Sequence, residues 1–334
     1  MLISSRLKSL LILWCSIGLI SGANEQEYEC TVRHNTTFSQ FEDKFTTCVL
    51  TNINYISGKG LKFSNSTNDI AYNKLKITFI ESNVETVPNM FFTFTNLEVL
   101  EMNQVGLRNI FTQSFQHASN LRVFHAYENK ITTLDAYTFV EAIKLEYLDL
   151  SHNKIANINV EAFKGLNKLK ELSLIDNRIS IIDEQTFEPL KALTWIWLDR
   201  NEIKIISLSL LVNNLNLKGI NLNNNKISAF STILLDKLPQ LRFLFLSGNN
   251  CTSHNFINTV IQYNANIKKE LSTCYAEYRS IVPNEEEKYQ LKNVLRDAEK
   301  ANAQCETDKA ALLERLETTR QQLANLQYKN EKQN

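Results

Sequence analysis

Glycine and proline are scarce in this chain, eight and four among 334 residues, and the shortage excludes whole classes of chemistry. So few glycines cannot build loops that cradle phosphates, and no GxSxG, HExxH, Walker or GxGxxG pattern occurs. Catalysis is therefore not expected, and no cofactor is implied. Excess charge is lacking too: 36 basic residues balance 36 acidic ones, so nothing draws the chain generally to nucleic acid or to an anionic membrane. Past residue 20 no run approaches the roughly 20 apolar residues of a membrane span. The polar end from Tyr328 to Asn334 is the opposite of a lipid-anchor signal, so no membrane anchor is expected.

The one apolar run, residues 10–20, follows Arg6 and Lys8 and precedes the small residues Ser21, Gly22 and Ala23. That order reads as a signal peptide over 1–23, and so as a secreted, extracellular protein. A membrane anchor would need a longer run, and Asn24, Glu25 and Glu27 interrupt this one. Of six cysteines Cys15 leaves with the signal, and Cys30, Cys48, Cys251, Cys274 and Cys305 enter an oxidising compartment where disulfides persist. Five is odd, so one lacks a partner within the chain. Asn35, Asn65 and Asn250 each head a glycosylation sequon, as the secretory route allows.

What the chain has in abundance is self-similarity. Asn129, Asn153, Asn177, Asn201, Asn225 and Asn249 recur every 24 residues. The clearest unit has Leu145, Leu148, Leu150, Asn153 and Ile155, followed by Ile158, Phe163 and Leu166, which is the L-x-x-L-x-L-x-x-N pattern of a leucine-rich repeat. Further units begin at Leu97, Leu121, Leu169, Leu193, Leu217 and Leu241, and a degenerate first one begins near Lys74, giving about eight over 74–250. Residues of the Leu148 and Leu150 type point inward from a short parallel strand. The Asn beyond hydrogen-bonds buried backbone where the chain leaves that strand, and Val105 in its place delays the ladder to Asn129. Phe92, Phe115, Phe139, Phe163 and Phe187 fill the opposite side, with Leu211 and Leu235 after them.

A solenoid needs both ends capped. Cys30 and Cys48, followed by strand-like residues 49–53, mark a first cap over 24–73. Cys251 and Cys274, spanning helix-like residues 255–261, mark a second over 251–283. The role assigned to these four is structural, because metal sites need tighter Cys or His pairs. The sequence thus predicts an α/β solenoid, a leucine-rich-repeat horseshoe with disulfide caps and a C-terminal helical coiled coil.

The coil occupies 284–334, where no Gly or Pro occurs. Its heptads put Leu291, Ala298, Cys305, Leu312, Thr319 and Leu326 at d and Leu295, Asn302, Lys309, Leu316 and Leu323 at a. A single helix folded onto the solenoid is the alternative. In a parallel homodimer Arg315 at g would face Arg320 at e of the other chain, so an unlike partner would pair better.

The strands should present their outward residues on one concave face. Trp195, Trp197, Phe243 and Phe245 hold equivalent outward positions with Gly219 and Asn221 between, and His125, Tyr127 and Tyr147 extend the candidate protein-binding surface. Exposed aromatic clusters mark interaction sites, although the second cap could instead fold over these rings. His125 and His152 do not face one another, and Glu101, Asp149, Asp176 and Asp199 read as solubilising acids on a solvated sheet.

The signal, the Cys-capped 24-residue repeats and the Cys-bearing coil resemble the leucine-rich immune molecules of mosquitoes. That resemblance implies an innate-immune recognition or adaptor protein, disulfide-linked as a homo- or hetero-dimer through its coils, which binds a protein partner such as a complement-like thioester protein. Cys305 would then be the interchain link. The family carries adjacent cysteines ahead of its coil, where this tail has Cys305 alone. An extracellular adhesion or matrix protein would use the same face on a cell-surface partner.

Overall fold

The computed structural model describes residues 26–29, 31–38, 41–55, 61–64, 74–257 and 265–331. The expected signal peptide, Cys30 and Asn65 lie outside them. The described chain forms a solenoid of leucine-rich repeats with a long C-terminal helix, and it divides into two units, Met1–Tyr278 and Arg279–Asn334.

Eight strands of the repeats lie side by side in parallel, from Leu75–Ile80 and Leu97–Glu101 through Tyr147–Asp149 to Phe243–Phe245. From the second onward the register advances by the repeat length, so Leu148 sits beside Phe124 and Leu172. The inward residue of each strand is an apolar side chain, and Leu100, Leu148, Leu172, Ile196 and Leu244 are all buried. On the far side of the core the phenylalanines stack in file: Phe115 to Phe139 at 4.9 Å between centroids, Phe139 to Phe163 at 6.3 Å and Phe163 to Phe187 at 5.9 Å. Leu211 and Leu235 continue the file, both buried.

The chain leaves each strand through a residue in the left-handed conformation: Gln104, Glu128, His152, Asp176, Arg200 and Asn224, with φ between 52° and 57°, and then Gly248. From Glu128 onward the ladder Asn follows at once. Nδ2 of Asn153 donates to the carbonyls of Leu150 and Ser151 in its own turn, at 3.0 and 3.1 Å, and to that of Ala126 in the preceding repeat at 3.0 Å. Its Oδ1 accepts from Ile131 N–H at 3.0 Å. Asn177, Asn201, Asn225 and Asn249 repeat the pattern. As the sequence indicates, the ladder begins at Asn129, whose Oδ1 accepts from Val105 N–H.

At the N-terminal end Phe41–Thr51 pairs in parallel with Leu75–Ile80 and antiparallel with Thr31–Phe38, so the strand expected at 49–53 starts earlier and stops at Thr51, before left-handed Asn52. Cys48 is disulfide-bonded. Asn35 falls within the strand Thr31–Phe38.

At the other end Cys251 and Cys274 form a disulfide with their Cα atoms 5.2 Å apart. The helix expected from residue 255 is corrected: Asn255–Ile257 is a strand, antiparallel to Phe243–Phe245. The last repeat leaves an edge of unpaired N–H and C=O groups, and this segment satisfies it, with Asn255 Oδ1 also accepting from Leu246 and Ser247 N–H at 2.9 Å each. Residues 258–261 of the expected helix lie outside the described residues. Helices Ala265–Glu270 and Ser272–Ile281 then bury Ile267, Leu271, Cys274 and Tyr278, and Lys268 pairs with Asp236 at 2.6 Å.

The second unit is dominated by one 47-residue helix, Glu285–Glu331. Among the described residues no helix is long and apolar enough to cross a membrane.

Two substitutions separate ladder from core. Asn177→Ala strands the N–H of Ile155 and leaves the carbonyls of Leu150 and Leu174 with one donor each, Asn153 and Asn201, and should cost about 1–3 kcal/mol. Phe163→Ala opens a cavity in the stack and should cost about 3–5 kcal/mol. Denaturant unfolding checks both, and parent-like midpoints would refute this assignment of roles.

Candidate protein-binding face

Because side chains alternate along a strand, each repeat sets two outward residues on the face of the sheet. The register puts Tyr147, Glu171, Trp195, Gly219 and Phe243 in one row and Asp149, Ser173, Trp197, Asn221 and Phe245 in the next.

The C-terminal half of this face is a shelf of four rings. Trp195 stacks on Trp197 with centroids 5.1 Å apart and planes inclined by 11°. Trp195 also reaches Phe243, two strands away, at 5.2 Å, and Phe243 stacks on Phe245 at 6.4 Å. Gly219 makes this possible. A Cβ there would lie 2.0 Å from Cζ3 of Trp195, so the indole lies flat over a backbone that only glycine leaves bare. All four rings are half-buried, and Asn255–Ile257 extends the sheet edgewise beside Phe243–Phe245.

The neighbouring half is polar. His125, Tyr147, Asp149, Glu171, Ser173, Ile175 and Trp197 line a depression of about 290 Å³. The structure thus brings together three residues singled out by sequence, His125, Tyr147 and Trp197. Tyr127 does not line the depression. It is half-buried in the turn beyond its strand, where its N–H donates to Asn103 Oδ1 at 3.1 Å. Of the acids, Asp149 accepts from Ser151 N–H at 2.9 Å, Glu101 pairs with Lys76 at 2.7 Å, and Asp199 accepts from Asn221 Nδ2 at 2.9 Å. Asp176 stands in a turn and pairs with His152 at 2.8 Å.

Burial shapes the electrostatics. It pushes the His125 imidazole below its ordinary pKa, against the pull of Asp149 and Glu101. It raises the carboxyl of Asp199, which Arg200 partly offsets. Burial alone raises the carboxyl of Glu171. Glu146 shows the contrast: burial would push it up, but hydrogen bonds from Lys170 and Arg122 at 2.6 and 2.7 Å hold it below the usual carboxylate value.

Glu146 belongs to a ladder of alternating charge beside the strands, running Lys74, Glu98, Arg122, Glu146, Lys170 with contacts of 4.0, 3.1, 2.7 and 2.6 Å. The sequence reading passed over this ladder, although its members share one repeat position and their signs alternate at close to the repeat spacing. It also passed over Glu171, the outward neighbour of Tyr147 one repeat on.

Comparison with known proteins supports the repeat architecture. Residues 95–155, 143–203 and 195–250 each match the family described as leucine rich repeat. A chain in the crystal structure of the LRIM1/APL1C complex shares the fold at 22% sequence identity and a TM-score of 0.51. The likeness covers 67% of this chain and 47% of that one, so this chain spans about half the length of the chain it matches. No curated protein matches the sequence.

Gly219→Ala should push the Trp195 ring off its seat while leaving the repeats folded, since the displaced atoms belong to a side chain. The expected result is loss of the near-ultraviolet circular dichroism of the stacked indoles with little change in the far-ultraviolet spectrum. An unchanged near-ultraviolet band would mean that the ring does not lie over residue 219.

Proposed function

We propose that this chain is a secreted leucine-rich-repeat binding protein of innate immunity, which pairs through its C-terminal helix and holds a protein partner on its aromatic face. The observation that carries this reading is the shelf of Trp195, Trp197, Phe243 and Phe245. Four rings held half-exposed on a rigid sheet, with a glycine dedicated to their stacking, leave apolar surface that water wets at a cost. Tryptophan and phenylalanine presented this way serve as anchors in protein interfaces. The LRIM1/APL1C structure, with which the chain shares its fold, is that of a complex, and a complement-like thioester protein is the partner that the resemblance to leucine-rich immune molecules implies.

Pairing rests on the helix Glu285–Glu331. Leu291, Leu295, Leu312 and Leu316, all on the heptad seam, are 63%, 60%, 66% and 51% exposed, and a helix with such a seam is stabilised by burying it against another. Cys305 is free and exposed in the single chain. At d it meets its counterpart across a parallel pair, and an unprotected thiol in an oxidising fluid does not persist. Arg315 opposite Arg320 disfavours two identical chains, so an unlike coil is the preferred mate. Asn35, Asn65 and the exposed Asn250 are the glycosylation sites of this reading.

Trp197→Ser should weaken capture of the natural partner from the protein's own body fluid while secretion and thermal stability stay near those of the parent. Unchanged capture would remove the face from the interface. On non-reducing electrophoresis the secreted protein should run near twice its reduced mass, or higher with an unlike partner, and Cys305→Ser should abolish that species. A non-reducing monomer with Cys305 free or capped would sink the disulfide link.

A further inference from the structure

The depression beside the shelf is distinct from it in chemistry. It is lined by Tyr147 and Trp197 together with the acids Asp149 and Glu171 and with Ser173, whose hydroxyl also bonds Ser151 Oγ at 2.6 Å. The cations nearby are committed elsewhere: Lys76 to Glu101, and Arg122 and Lys170 to Glu146. His125, which also lines it, is held toward its neutral form by burial. Asp149 has Ser151 as a donor, whereas among the described residues the carboxylate of the half-buried Glu171 makes no hydrogen bond or ion pair, and burial raises its pKa. A half-buried carboxylate without a donor or counter-ion is costly, and the cost falls when a cation arrives.

From this charge complementarity we propose that the depression receives an arginine side chain of a partner polypeptide, seated between Tyr147 and Trp197 with its guanidinium on Glu171, while an adjacent apolar residue of that partner lies on the ring shelf. The proposal rests on the reading of this face as protein-binding and names the chemistry it selects. A guanidinium is planar, stacks on aromatic faces and presents five donors, and this lining supplies two rings, two carboxylates and a hydroxyl. An ammonium would gain the charge but not the stacking. The shelf adjoins through Trp197, which belongs to both, so one short extended segment spans the two.

The tryptophans report on the site directly. Of the chain's three tryptophans, Trp14 lies in the expected signal peptide, so the tryptophan emission of the secreted chain comes from Trp195 and Trp197 on the shelf. The secreted chain would be titrated with acetylated, amidated leucyl-arginyl-leucine and with the peptide in which neutral citrulline replaces arginine. The arginine peptide should give a saturable change in emission, and the citrulline peptide should bind roughly tenfold more weakly, the loss of one charge-assisted contact. Glu171→Gln should bring the arginine peptide to the citrulline level, with the chain still folded by circular dichroism. Equal binding of both peptides, an arginine preference that survives Glu171→Gln, or no saturable response would each overturn the proposal. The reading of the face fails separately, through unchanged capture of the natural partner by Trp197→Ser.

Discussion

Every repeat must turn a buried backbone corner, and the asparagine that follows the strand makes that corner possible. The residue before it is left-handed in each of the turns from Glu128 to Asn224, a conformation that costs a residue with a side chain roughly 1–2 kcal/mol. Asn153 offsets that cost with hydrogen bonds to Leu150, Ser151, Ala126 and Ile131, each contributing about 0.5–1.5 kcal/mol net. Two of these partners lie in the same turn and two in the preceding repeat. One side chain thus closes its own turn and fixes the register to its neighbour, and the regular sheet face follows from that register.

Upon that face two different surfaces meet. The N-terminal part is edged by the charge ladder from Lys74 to Lys170, where contacts between partly exposed ions contribute little each. The C-terminal part is aromatic, and ring pairs such as Trp195 with Phe243 add about 0.5–1.5 kcal/mol beyond their burial. The ladder ends at Lys170 because its next position is Thr194, whose hydroxyl donates to the Lys170 carbonyl at 2.9 Å. Thr194 directly precedes the strand Trp195–Trp197, so the change of surface happens within a single repeat.

Most of the solenoid could be read from residue spacing alone, because the asparagines, the inward leucines and the phenylalanine file each serve one geometric role at one interval. Asn255–Ile257 could not. Its strand comes from the open edge it meets, and a three-residue segment has no periodicity of its own to declare it. The four rings were visible as outward positions, but the service of Gly219 depends on Trp195 leaning sideways across a strand, which no alternation pattern encodes. Glu171 was invisible as a special residue for a related reason. Its burial comes from side chains one repeat to either side, and in the sequence it resembles any other exposed acid.

A file of residues with no duty to the core has a further consequence. From Tyr147 onward the outward positions neither carry the ladder nor fill the interior, whereas the earlier Val99 and Val123 are buried with Phe45, and neighbouring strands are spaced at about 4.7–4.9 Å. Such a surface behaves like movable type: each sort can be exchanged while the frame that holds the line stays locked. Gly219 is the exception on this line. It is the blank that lets a wide character, Trp195, overlap the next column, so any rewriting of the aromatic half must change the pair together.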